Sequence, residues 1–217
     1  MLRCRSLVIA LIITLVFSGC VLKRLLEFKR QLNNPQHHIH FNHAGVLVLK
    51  TPTLQLEDLE LLTGIFPTMV NGNNVRYEFN RPEAPEHSLV YVLEFENQKL
   101  AVIDYPDIFY NAIESSFAFD SLELFGKAEM PQNGHWRVDN NGKALSAIPT
   151  REDIIGILGP PTSITNFSTT ELYHYHYTHP SIKGPQMIRV TLSFHKASHG
   201  IIAIDLALPD REWSIQL

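Results

Sequence analysis

Residues 150–162 read Thr-Arg-Glu-Asp-Ile-Ile-Gly-Ile-Leu-Gly-Pro-Pro-Thr, and this stretch decides the fold. Thr150 is followed three residues later by Asp153, the spacing of an N-cap hydroxyl and a third-position acid, a variant of the capping box. Glu152 and Asp153 put acids in the first turn, and Gly159 with proline just beyond supplies the stop. A short helix over 151–158 is predicted. Three extended segments follow it, at 171–177, 188–194 and 202–206. In the second, Ile188, Val190, Leu192 and Phe194 alternate with Arg189, Thr191 and Ser193, which is the two-faced pattern of a half-buried strand.

The same order of parts occurs earlier in the chain. Val46–Leu49 and Pro52-Thr53 stand where Ala144–Ile148 and Pro149-Thr150 stand later, as short extended segments leading into a helix. Glu57–Leu62 corresponds to the helix just described, Gly64 to Gly159, and Pro67-Thr68 to Pro161-Thr162. The strands pair off as 75–79 with 171–177, 89–95 with 188–194, and 101–105 with 202–206. Leu93-Glu94-Phe95 aligns with Leu192-Ser193-Phe194, and Ile103-Asp104 with Ile204-Asp205. An ordered set of matches of this kind is the signature of an internal repeat. The expected fold class is α+β: two tandem units, each with a short helix or two packed on an antiparallel sheet of three to four strands. Boundaries follow as 1–19 (a leader), 20–43 (a tether), 44–106 (first unit), 107–133 (connection) and 134–217 (second unit). A helix over 107–119 is expected in the connection, with Ile108, Ala112, Ile113 and Phe117 on one stripe.

The N-terminus reads as an export signal. Arg3 and Arg5 precede an apolar run from Leu7 to Phe17, and small residues Ser18 and Gly19 precede Cys20. Phe17-Ser18-Gly19-Cys20 resembles a bacterial lipobox, which implies cleavage before Cys20 and lipidation of its thiol. Cys4 leaves with the leader, so Cys20 is then the one remaining thiol, as suits an oxidising compartment. Val21 rather than aspartate after the cysteine resembles an outer-membrane address. The alternative is an uncleaved anchor over 6–22, just long enough to span a bilayer, with Lys23, Arg24, Lys29 and Arg30 holding the rest of the chain inside. Residues 21–32 suit a short amphipathic helix lying on anionic headgroups. His37, His38, His40 and His43 form a dense imidazole run able to take up a metal, although no carboxylate or thiol stands beside them to complete a site.

The second unit carries a family resemblance. The helix ending in Leu158-Gly159-Pro160-Pro161-Thr162, the aromatic strand Tyr173–Tyr177, Val190–Phe194, and Gly200 with Ile201–Ile204 together resemble the SmpA/OmlA lipoprotein family. A tandem pair of such units is also similar to the β-lactamase-inhibitor-protein architecture, where a curved sheet offers one face to a partner enzyme. The resemblance implies a periplasmic, lipid-anchored protein that binds another protein.

Composition limits the other classes. The chain has 217 residues, 45% of them apolar and 18% charged, with 18 basic against 22 acidic residues. This is enough for real cores and too apolar for disorder. It lacks the basic excess of a nucleic-acid binder. There is no Gly-x-Ser-x-Gly, P-loop, His-Glu-x-x-His or dinucleotide fingerprint. No cofactor is expected, and no catalysis. If Tyr173, Tyr175 and Tyr177 pack inward, His174 and His176 share an open sheet face with Arg189, Thr191 and Asp205, the candidate partner-binding surface. The alternative is a periplasmic metal- or small-ligand-binding protein that uses its histidines.

Overall fold

The computed structural model describes residues 21–42, 46–106, 109, 113–128, 135–140, 142 and 145–217. The leader, Cys20, His43 and most of 107–112 lie outside them. The fold is α+β in two tandem units, each with its own six-stranded sheet. The first sheet has the order β1 (Ile39–Phe41), β2 (Leu47–Leu49), β6 (Lys99–Asp104), β5 (Leu89–Glu96), β4 (Asn74–Phe79), β3 (Met69–Asn71). The second runs β7 (His135–Asp139), β12 (Glu212–Gln216), β11 (Ile201–Ala207), β10 (Gly184–His195), β9 (Thr170–Ser181), β8 (Ser163–Asn166). All neighbours are antiparallel except β12 with β7. Each unit thus has more than the three to four strands expected.

The helices are α1 (21–32), α2 (Pro35–His38), α3 (Leu56–Thr63), α4 (Ser115–Lys127) and α5 (Arg151–Leu158), with a 3-10 turn at Pro85–His87. In α5 the Thr150 hydroxyl accepts from the Asp153 N–H at 3.3 Å, and the Thr150 N–H donates to the Asp153 carboxylate at 2.8 Å. The equivalent box in α3 joins Gln55 to Asp58, not Thr53 to an acid, with the Gln55 N–H donating at 2.8 Å. Gly64 and Gly159 both end their helices at positive φ. Residues 145–149 form no strand, contrary to expectation. Within the connection Ser115–Lys127 is helical and Phe109 is helical as well, while the rest of 107–112 lies outside the described residues. The Ser115–Lys127 helix buries Phe117 and Leu124 against Val138 and Ile215.

The repeat is real down to its irregularities. The β5–β6 register shifts between Glu94 and Phe95, and the β10–β11 register between Ser193 and Phe194. These bulges sit in the two segments that aligned in the sequence. Pairing then fixes the correspondence. Leu93 faces Val75, and Leu192 faces Tyr173, so Arg81 is the equivalent of His179, and His87 of Gln186.

Equivalent residues reach across to the opposite unit. β3 and β8 are too short to cover β4 and β9 fully. Beyond them Asn80 and Thr178, themselves equivalent, exchange two backbone hydrogen bonds of 2.8 Å. Arg81, 1% exposed, donates to the carbonyls of Leu158 (2.5 Å) and Pro160 (2.8 Å) at the end of α5. His179, wholly buried, places Nε2 2.5 Å from the Phe66 carbonyl, just beyond α3, and Nδ1 2.6 Å from that of Glu78. Carbonyls only accept, so a ring protonated on both nitrogens satisfies both of them, and a neutral ring satisfies one. Gln186 donates to the Gly64 carbonyl at 2.8 Å, and the His87 ring lies where a Cβ on Gly159 would sit. One apolar core spans both units, including Leu93, Leu100, Tyr175, Ile188 and Phe194.

The expected tether is a packed element. Residues 21–32 are helical, as read, but the inner face of α1 is committed to the protein. Arg24 forms a two-pronged ion pair with the wholly buried Asp58, at 2.6 and 2.8 Å. Gln31 is buried and donates to the Thr51 carbonyl at 3.0 Å, and the Lys29 ammonium donates to the Ala128 carbonyl. The chain then enters the first sheet as β1. At the end of α1 the backbone passes so close to α4 that a Cβ on Gly126 would lie 2.6 Å from the Asn33 nitrogen and 2.7 Å from the Leu32 carbonyl carbon.

Gly126→Ala is therefore expected to cost about 1–3 kcal/mol, since backbone and not a movable side chain is in the way. Gly156→Ala, inside α5 with open space around it, is expected to gain up to about 1 kcal/mol from helix propensity. Thermal melts of the two variants beside the parent should move in opposite directions; equal shifts would contradict the close approach.

Candidate functional site

The five residues expected on the open face of the second unit are brought together. Tyr173, Tyr175 and Tyr177 are buried at 5%, 0% and 3% exposure, which turns His174 and His176 to the outer side of β9. The register then builds two rows across the sheet. His176 faces Arg189, which faces Ala207. His174 faces Thr191, Thr191 faces Asp205, Asp205 faces Ser214, and Ser214 faces Arg137. With strands about 4.8 Å apart, the longer row spans on the order of 20 Å.

Hydroxyls hold the row in place. The His174 ring lies between Thr165 Oγ1, 3.0 Å from Nε2, and Thr191 Oγ1, 3.1 Å from Nδ1. Ser214 donates to the Asp205 carboxylate at 2.7 Å. These contacts fix side chains that would otherwise rotate freely on a solvent face. Arg189 and Asp205 are exposed, and His174, His176 and Thr191 are half-buried. The surface is polar and of mixed charge.

Sequence reasoning missed the far side of this surface. Ser214 and Arg137 extend the row, and the His135 Nδ1 lies 3.0 Å from the Glu212 carboxylate at its rim. Both strands involved, β7 and β12, were unassigned. The alternation of Trp213 and Ile215 with Glu212, Ser214 and Gln216 is the sequence signal by which β12 could have been found.

Of the histidine run, His43 lies outside the described residues, and His37, His38 and His40 do not form a three-ligand cluster. Ile39 is 1% exposed and anchors β1, which sends His40 outward, while His37 and His38 close α2. His37 contacts the Asn34 side chain at 2.9 Å. Among the described residues no three His, Cys, Asp or Glu side chains come together as a metal site.

No protein family, curated protein or solved structure gives a significant match to the chain. Among the described residues no helix is long and apolar enough to cross a membrane.

Proposed function

We propose that this is a membrane-anchored periplasmic lipoprotein that binds a protein of the cell envelope through the outer face of its second sheet. The observation that carries the reading is the shared outer face of His174, His176, Arg189, Thr191 and Asp205, set by strand register, with His174, Thr191 and Asp205 also held by hydroxyl contacts. Preordered polar and charged groups of both signs give specificity and register to an interface at little entropic cost. The lipobox-like Phe17–Cys20 supports the anchor, as does the outer side of α1, where Leu22 and Leu26 are about half exposed beside Lys23 and Arg30. The resemblance of the second unit to SmpA/OmlA lipoproteins supports the binding role. The Thr165 and Thr191 hydroxyls beside the His174 ring lie on an open sheet face, where water is not excluded from any reacting group, so binding rather than catalysis is the reading.

The test joins anchor and surface. Intact mass of the membrane-extracted protein should show loss of residues 1–19 and a gain of acyl mass, both absent from Cys20→Ala. In-cell crosslinking should then capture an envelope protein with the parent chain. With the Arg189→Glu, His176→Ala variant, capture should fall at least tenfold at unchanged melting temperature. Undiminished capture would move the interface elsewhere.

A further inference from the structure

Between the inner faces of the two sheets lies a cleft of about 380 Å³, within the size range of small-molecule sites. Its walls are apolar side chains from both units, among them Leu93, Ile103, Ile188 and Val190, together with the phenols Tyr77 and Tyr177. Those two tyrosines are only 7% and 3% exposed, yet neither hydroxyl has a hydrogen-bond partner. Native proteins seldom leave such groups unpaired. Burial pushes the Tyr177 phenol up to about 12 and raises that of Tyr77 as well, where Glu60 adds to the effect. Both stay protonated, as donors, at neutral pH. Arg81, whose Nε–H is also unpaired, holds its guanidinium 6.0 Å from the Tyr177 ring centroid.

Two further cavities lie in the same part of the molecule. Tyr105 is shared with a second apolar cavity of about 480 Å³ against α4. That cavity shares Leu122 with a third of about 220 Å³. In the third, Trp136 and Trp213 stack 4.6 Å apart, and their indole N–H groups are unpaired too. All three cavities have mainly apolar walls, and the cleft and the third also carry unpaired donors. A compact polar ligand matches little of the cleft; a hydrocarbon chain with an acceptor at its head matches both its apolar walls and its unpaired hydroxyls.

We infer that the cleft between the sheets binds a single acyl chain, whose carboxyl or ester oxygen accepts from the unpaired tyrosine hydroxyls that line it. The inference stands apart from the outer-face reading, because the two surfaces lie on opposite sides of β9 and β10. A fatty acid and a lipid ester share this chemistry, and the experiment separates them.

Cells expressing the full chain are fed a diazirine-bearing palmitic acid, irradiated, and the protein is digested for mass spectrometry. Adducts are expected on β4, β9 or β10, and their mass distinguishes free acid from an esterified chain; either supports the inference. Val190→Phe, which fills the cleft, should abolish these adducts. Tyr77→Phe with Tyr177→Phe removes only two oxygen atoms and keeps the fold. It should lower labelling about tenfold, the loss of one good hydrogen bond at the head, while the melting temperature holds or rises. Absence of adducts from these strands, or equal labelling in the tyrosine double variant, overturns the inference.

Discussion

Arg81→Met is expected to lower the melting temperature by about 10 °C, a loss of about 3–5 kcal/mol. Methionine fills a similar volume but donates nothing. The carbonyls of Leu158 and Pro160 are then left in a site where Arg81 was 1% exposed, and each unsatisfied buried acceptor costs about 1–3 kcal/mol. The guanidinium also lies 5.1 Å from the Tyr175 ring centroid, an attraction that disappears with the charge. Arg81→Lys should recover less than half of the loss, because one ammonium on a flexible stem does not reproduce a planar fork that bonds two carbonyls at once. Differential scanning fluorimetry of the three proteins decides this. A lysine variant as stable as the parent would show that charge alone, and not the fork, joins β4 to the end of α5.

The second large effect is expected at Asp58. Its carboxylate caps α3 through the Gln55 N–H and binds both prongs of Arg24, while being wholly buried. Asp58→Ala removes the cap, worth about 1 kcal/mol, and leaves the Arg24 guanidinium in a part-buried site without its counter-charge, a further loss of about 3 kcal/mol. The consequence is local before it is global. α1 should detach first, so trypsin should cut at Lys23, Arg24, Lys29 or Arg30 at least tenfold faster than in the parent, with the second unit still intact. A parent-like digestion pattern would mean that Gln31, Lys29 and the Gly126 approach hold α1 unaided.

Several features were legible in the sequence because they depend on neighbours along the chain. The α5 cap needs only Thr150 and Asp153, and the stop needs only Gly159. The inward tyrosines and outward histidines of β9 follow from strict alternation, which also placed the five-residue outer surface. The repeat was visible in Leu93-Glu94-Phe95 and Leu192-Ser193-Phe194 because both copies keep a bulge there.

What stayed hidden depends on distant partners. Arg24 meets Asp58 and Gly126 meets Asn33 only after folding, so residues 21–42 read as a tether when they are in fact part of the first unit. Every residue of β3 and β8 is exposed, so neither strand shows a buried face. The parallel pairing of β7 with β12 joins segments some 75 residues apart in sequence, which no local pattern announces. Arg81 and His179 looked like unrelated polar residues until the register made them counterparts.

That correspondence bears on origin and assembly. Asn80 and Thr178 exchange the same backbone hydrogen bonds, and Arg81 with His179, and His87 with Gln186, each reach the end of the opposite unit's helix through contacts of their own. This is the geometry of an isologous interface, the self-complementary contact of a symmetric homodimer. The chain thus has the form of a dimer made permanent by fusing its subunits. Fusion lets the halves diverge: one keeps a guanidinium where the other has an imidazole, and one outer face can specialise without the other. It also makes exchange of halves between two chains geometrically equivalent to the closed monomer, with the connecting segment setting how strongly the chain prefers its own partner.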